Sequence, residues 1–250
     1  MFLDPHFLRP KLRLTALACR WVWQRRAADA LALLRDRDVG YEVLRWHSLS
    51  IGPCRTIIDV GAHVGMVAAA LNLLYRPESL LAVEANPALL PGLRHRFSEM
   101  RSVEIMGVAL SDQAGVLPFL VQNFSAASSL FPLRVGYLAS LGLPEGAQQI
   151  EIPARRLDDV AVEAGIESLD LLKLDCQGAE LRVLLGAPNL LKRTRIIQTE
   201  VMFEPIYHGG ALFQEIHALL RSHGFRLVRL DDLGGTGDSI DQADAVYLRN

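Results

Sequence analysis

The sequence predicts an α/β fold: a mostly parallel sheet with helices on both faces, preceded by a helical extension. Three observations carry this. Runs of β-forming residues alternate with helical stretches, as βαβ crossovers require. Acidic residues close the strand runs at a regular interval, since Asp59 to Glu84 is 25 residues and Asp175 to Glu200 is again 25. Each interval holds one strand and one returning helix. Finally, 250 residues with 50% hydrophobic and 22% charged side chains make an ordinary globular composition, which excludes disorder and coiled coil as descriptions of the whole.

Residues 1–50 form the extension. Between Met1 and Arg37 there are eight basic residues (Arg9, Lys11, Arg13, Arg20, Arg25, Arg26, Arg35, Arg37) against three acidic ones (Asp4, Asp29, Asp36). Leu14, Leu17, Trp21, Ala28, Leu31 and Leu34 recur at three-, four- and seven-residue spacings, which predicts one or two amphipathic helices. The simpler use of that stripe is packing on the main domain. A basic helix with an apolar face is also compatible with peripheral contact to an anionic membrane surface.

Residues 51–250 form the main domain. Thr56–Val60 is a first strand, ending in the turn Gly61-Ala62-His63-Val64-Gly65, and a helix follows over Met66–Tyr75. Ser79–Glu84 is a second strand, Asn86-Pro87 opens a helix to about Met100, and Val103–Leu110 is a third strand. An insertion at about 115–154 has two alternating, strand-like ends and a Ser/Ala/Gly/Pro-rich middle, Asn123–Ala147. So long a segment inside a compact domain is a functional loop or has structure of its own. Strands at Leu169–Leu174 and Arg195–Thr199 follow. A helix over Ala211–His223 and two final strands, Phe225–Leu230 and Ala243–Leu248, complete the chain.

Several function classes are disfavoured at once. A net charge of −2 supplies no large positive field, so nucleic acid is not an expected partner. Three cysteines without CxxC spacing argue against a disulfide framework or a structural zinc site, and for a reducing, cytoplasmic location. No apolar run approaches the ~20 residues that span a bilayer. The stretch Leu14–Cys19 is too short for a secretory signal. No pattern sets an oligomeric state.

In open α/β sheets the carboxyl ends of the strands form the ligand crevice. Gly61 and Gly65 lie where a strand becomes a helix, so a ligand can approach the backbone there. The spacing is neither G-x-G-x-x-G nor a P-loop, and Asp59 just before the turn would repel a pyrophosphate. A ligand that is cationic at that point fits better. Glu84, ending the next strand, is placed to accept from both hydroxyls of a ribose. A nucleoside with a cationic, amino-acid-like arm describes S-adenosylmethionine.

The segments Ile58-Asp59-Val60-Gly61-Ala62-His63-Val64-Gly65, Val83-Glu84-Ala85-Asn86-Pro87, Ala109-Leu110-Ser111-Asp112, Leu157-Asp158 and Leu172-Lys173-Leu174-Asp175-Cys176-Gln177-Gly178-Ala179-Glu180 resemble the ordered motifs of FkbM-type methyltransferases. The resemblance covers about residues 55 to 250. It implies a Rossmann-like class I methyltransferase fold with a seven-stranded sheet, and O-methylation of sugars and natural products with S-adenosylmethionine as donor. The family usually has Asn at His63, Glu-Pro at Glu84-Ala85, and often Glu at Gln177. None of these differences removes a strand-end acid.

The expected cofactor-binding residues are therefore Asp59, Gly61, Ala62, His63, Gly65, Glu84, Ala85, Asp112 and Asp175. The expected catalytic residues are Asp175, Glu200 and His208, as base or aligning group for the acceptor hydroxyl. The carboxylates of Asp175 and Glu200, on consecutive strands about 4.8 Å apart, are also compatible with Mg²⁺. A metal-free base is preferred, because no third oxygen ligand is evident. The acceptor, a small molecule or carbohydrate, is expected to meet Asn123–Ala147 and Met202–Gly210. A nicotinamide-dependent oxidoreductase would need the missing glycine fingerprint. A non-catalytic nucleoside-binding or membrane-associated protein would leave Asp175 and Glu200 idle.

Overall fold

A computed structural model describes residues 13–21, 27–235 and 239–250. Of the basic extension, Asp4, Arg9, Lys11, Arg25 and Arg26 lie outside the described residues. A helix α1 covers 13–21, followed by α2 (Ala27–Arg35) and α3 (Arg37–Ser48). Asp36 caps α3 by accepting from the Val39 backbone N–H at 3.2 Å, which satisfies one of the free donors of the first turn.

The main sheet contains β1 (Thr56–Val60), β2 (Ser79–Val83), β3 (Val103–Met106), β7 (Leu169–Leu174), β8 (Thr194–Met202), β9 (Phe225–Gly234) and β10 (Gln242–Arg249). Its order is β3-β2-β1-β7-β8-β10-β9. The strands from β3 to β8 run parallel, while β10 is antiparallel to both β8 and β9. The chain winds outward from β1 to β3, then returns to lay β7 on the other side of β1. That reversal opens a crevice at the carboxyl ends of β1 and β7. Seven mostly parallel strands of a class I methyltransferase fold are what the sequence predicts.

Two layers cover the sheet, and strand alternation assigns side chains to them. Ile58, Val60, Leu172, Leu174, Ile197 and Val201 belong to one core, against the helices α7 (Leu157–Glu163), α8 (Glu180–Leu185), α9 (Pro188–Leu191) and α10 (Phe213–Ser222). Ile57, Leu80, Ala82, Leu171 and Ile196 belong to the other, against Trp46 of α3 and Ala68 and Leu71 of α4 (Met66–Tyr75). Leu14, Leu17, Trp21, Ala30, Leu33, Val39 and Val43 form a third cluster with Ala70 of α4. The apolar side chains of this cluster are thus turned inward, onto the main domain. One expectation fails here. Leu31 and Leu34 are exposed while Ala30 and Leu33 are buried, because α2 does not continue the phase of α1.

Two further departures bear on the crevice. The predicted third strand divides: Val103–Met106 stays in the main sheet, while β4 (Ala109–Leu110) turns away to pair with β6 (Ala147–Arg155). With β5 (Gly115–Gln122), antiparallel to β6, these make a separate three-stranded sheet. The insertion therefore has structure of its own, including a 3₁₀ turn at Ser125–Ala127 and α6 (Tyr137–Ser140). The helix after Pro87 is also shorter than predicted, α5 spanning Leu90–Arg96.

Candidate active site

A cavity of about 320 Å³ opens at the carboxyl ends of β1, β2, β7 and β8 and at the amino end of the antiparallel β10. At one end Val83, Glu84 and Ala85 face Val108, Ala109, Leu110 and Phe119. Glu84 is buried. Its Oε2 accepts from the His63 backbone N–H and its Oε1 from the Asn86 backbone N–H, each at 2.7 Å. Burial pushes the Glu84 carboxyl up, opposed by those two N–H groups and by nearby Lys173. Each oxygen keeps acceptor capacity, so the side chain is held rigid with its remaining lone pairs available to a diol.

The floor of the cavity is the turn after β1. Gly61 has φ +75°, and a Cβ there would stand 1.8 Å from the Asp175 carbonyl oxygen. Only glycine lets β1 and β7 close this tightly where both strands end. Ala62 and His63 line the cavity beside it, and His63 Nε2 lies 2.9 Å from Ser125 Oγ of the insertion. Gly65 does not face the cavity. Its φ is +82°, and a Cβ would meet Leu93 Cδ1 and Phe97 Cε2, both at 2.7 Å. Its absent side chain serves the packing of α4 against α5.

Asp59 is likewise displaced from its expected role. It is fully buried and is not among the residues lining the cavity. Alternation along β1 turns it toward α4, on the face it shares with its register partner Lys173. The Lys173 Nζ sits 3.0 Å from Asp59 Oδ1 and 3.6 Å from Asp175 Oδ2, and donates to the Gly61 carbonyl at 3.1 Å. Burial works against the lysine's charge, but Asp59 and Asp175 overcome it and hold the ammonium above its usual range. Asp59 is thus a buried counter-ion that reaches the cavity only through Lys173.

The expected pair Asp175 and Glu200 is brought together, and a third side chain does it. Gln177, at φ +56°, donates from Nε2 to Asp175 Oδ1 at 2.7 Å and to Glu200 Oε2 at 2.9 Å. Its carbonyl oxygen accepts from the Tyr207 hydroxyl at 2.7 Å, which fixes the amide's orientation. Glu200 is buried and register-paired with Asp244 of β10. Burial, then Asp175, Glu180 and Asp244, push its carboxyl well above the usual carboxylate range. Asp244 is also raised by burial, to about 6, although Arg45 pulls it back. Among the described residues no group of three or more His, Cys, Asp or Glu has a metal-holding arrangement.

His208 and Asp112 fall outside the cavity. The loop after β8 is tied to the insertion by the Leu133–Tyr207 bridge and by the His208 backbone N–H donating to the Pro132 carbonyl at 2.8 Å. That extended pairing turns Tyr207 inward and leaves His208 exposed. Asp112 follows β4 into a turn where Ser111 packs on α8: a Cβ on Gly186 would stand 2.3 Å from the Ser111 carbonyl. The two segments expected to meet the acceptor are joined, with Phe131 and Tyr137 packing on Met202, Ile206 and Tyr207.

Sequence reasoning missed Lys173, Gln177 and Tyr207 as site residues, and also Glu42 and Arg45 of the extension, which line the cavity beside Asp232 and Asp244. Arg45 pairs with Asp244, with Asp232 at 3.2 Å and with Glu42 at 3.6 Å. The heptad-like stripe of the extension gave no sign of this, because it marks the apolar face and not the polar one.

Comparison with known proteins agrees with the geometry. Residues 59–227, more than half of the chain, match the Methyltransferase FkbM domain. The 2-O-methyltransferase NoeI of Sinorhizobium fredii is 31% identical over 209 residues, which cover 81% of this chain and 82% of that protein. The 31-O-demethyl-FK506 methyltransferase FkbM of Streptomyces tacrolimicus is 31% identical over 241 residues, covering 88% of this chain and 90% of the relative. A crystal structure of an FkbM methyltransferase from Methylobacillus flagellatus superposes with a TM-score of 0.52 at 16% identity, covering 83% of this chain and 53% of that one. The present chain thus spans about half of that protein, and the likeness concerns the fold. With Glu84, Gly61 and the Asp175–Glu200 pair converging at the switch point of a class I sheet, the chain belongs to the FkbM methyltransferase family and is an S-adenosylmethionine-dependent methyltransferase.

Proposed function

We propose that the protein is a cytoplasmic O-methyltransferase that acts on a hydroxyl of a sugar, glycolipid or natural product, with a carboxylate rather than a metal taking the proton. The observation that carries the reading is the single amide of Gln177 held between Asp175 and Glu200, at 2.7 and 2.9 Å. The amide donor occupies the place between the two carboxylates where a cation would have to sit, and it is neutral. The names of NoeI, a 2-O-methyltransferase, and of the Streptomyces FkbM, a 31-O-demethyl-FK506 methyltransferase, support methylation at oxygen.

On this reading the adenine lies among Ala85, Val108–Leu110 and Phe119, and the ribose hydroxyls donate to Glu84. S-adenosylmethionine, when bound, would supply an activated methyl group, and Asp175 and Glu200 would hold the acceptor hydroxyl beside it. The acceptor oxygen attacks the methyl carbon in line, the carbon–sulfur bond breaks, and the hydroxyl proton passes to a carboxylate. Glu200 is the better base, because burial and its acidic neighbours raise its proton affinity. Asp175, half-exposed in the cavity wall, aligns the acceptor. The donor is already activated, so proximity and alignment supply most of the acceleration. Turnover of hydroxylated sugars and lipids with labelled donor tests this: activity must survive exhaustive chelation and fall on Glu200→Gln. Activity that EDTA removes and Mg²⁺ restores refutes the metal-free base.

A further inference from the structure

We infer that Glu42 of α3 receives the α-ammonium of the cofactor's methionine arm, which makes the N-terminal extension one wall of the cofactor site. The inference rests on the cofactor placement proposed above. With the ribose on Glu84 of β2 and the adenine beyond it, the arm has to run the other way, over Gly61 and across the end of β7. It then arrives beneath α3, where Glu42 and Arg45 line the cavity. Both residues lie outside the matched family span of 59–227.

Among the described residues, Glu42 and Asp59 both keep a buried carboxylate oxygen without a hydrogen-bond partner. Asp59 lies behind Lys173 and does not line the cavity, and the other charged groups at that end are engaged with one another. Lys173 lies between Asp59, Asp175 and the Gly61 carbonyl. Asp175 and Glu200 share the Gln177 amide. Asp232 and Asp244 are paired with Arg45. Glu42 holds Arg45 through Oε1 at 3.6 Å, while its Oε2 is buried with no hydrogen-bond partner. A buried carboxylate oxygen without a donor is costly, and a compact ammonium with three donors supplies what it lacks. Arg45 fixes the arrangement, because its guanidinium ties α3 to Asp232 and Asp244 of the terminal hairpin across almost the full length of the chain.

Calorimetry on the full chain with two probes tests this. S-adenosylhomocysteine carries the amino-acid arm, whereas 5′-methylthioadenosine has the same nucleoside and thioether without it. Wild type is expected to bind both, the former more tightly. Glu42→Gln should lower affinity for S-adenosylhomocysteine by about 10- to 100-fold, the scale of a lost charge-assisted hydrogen bond. Methylthioadenosine should stay within about two-fold of wild type, and Glu42→Asp should recover part of the loss. Equal losses for both probes, or none for S-adenosylhomocysteine, overturn the assignment. Unchanged cofactor affinity with lost turnover would move Glu42 to the acceptor side and overturn it too. A wild type that binds neither probe sinks the cofactor placement itself, and this inference with it.

Discussion

Replacing Lys173 by methionine tests the electrostatic base of the site. The lysine is fully enclosed and supplies the charge nearest to Asp59, which is itself 0% exposed. Methionine keeps the stem volume but leaves a buried carboxylate without its counter-ion. Removing one partner of such a pair typically costs about 3–5 kcal/mol, far more than the net worth of the pair. The loss should depend on pH with a definite sign. Without the ammonium, burial drives the Asp59 carboxyl further above its ordinary 3.8, so the folded state keeps a proton that the unfolded state has released. Stability then falls as pH rises from about 4 through the new folded value. Urea unfolding at pH 4.5 and pH 8 measures it: the penalty should be clearly larger at pH 8. A second replacement, Asp59→Asn, should return much of the loss at pH 8. A Lys173→Met penalty below about 1 kcal/mol, or one equal at both pH values, refutes the buried-pair account.

Glu84→Ala should weaken S-adenosylhomocysteine binding by about 2–4 kcal/mol, because a charged acceptor for two hydroxyls is lost; unchanged calorimetric affinity would remove the ribose assignment. Glu180, buried and raised by burial from 4.5 to about 7, must ionise inside the fold as pH climbs through that window. Glu180→Gln should therefore stabilise the protein by up to about 3 kcal/mol at pH 8 and leave it nearly unchanged at pH 5. Thermal unfolding at the two pH values decides this, and an equal shift at both would count against it. Tyr207→Phe removes the donor that orients the Gln177 amide. It should lower kcat about ten-fold, the scale of one hydrogen bond, with cofactor affinity intact; a matching loss of cofactor affinity would show that Tyr207 acts elsewhere.

The residues legible in the sequence are those whose role follows from position along one strand. Glu84, Gly61 and Asp175 directly follow strands, while Glu200 lies two residues inside the end of β8, which runs on past the predicted Thr199. The strand period places all four near the crevice. Roles set by pairing between strands were not legible. Asp59 was expected to face the ligand, but register with Lys173 turns it beneath the turn instead. His208 and Tyr207 are adjacent, and a bridge to Leu133 decides which points inward. That choice lies in a contact 74 residues away in sequence. The division of the third strand at Gly107 has the same origin, since β4 leaves the main sheet to join partners in the insertion. Arg45 shows the limit most plainly. Its partner Asp244 is 199 residues further on, and no local pattern announces the pair.

The charge distribution of the cavity favours one direction of ligand exchange. Glu42, Glu84, Asp175, Glu200, Asp232 and Asp244 line it, against the full cations Arg45 and Lys173. A carboxylate about 6 Å from a unit positive charge contributes roughly 3 kcal/mol at an effective dielectric of about 20. Before transfer the donor carries that charge on sulfur. On the reading proposed above, the sulfur is afterwards neutral and the proton rests on a carboxylate, so the attraction falls on both sides of the interaction at once. The same lining that captures the sulfonium therefore holds the thioether product less firmly. It also opposes a phosphate or carboxylate on the acceptor near the reacting hydroxyl, which is the physical reason for placing neutral polyhydroxylated compounds first among the acceptors to be tried.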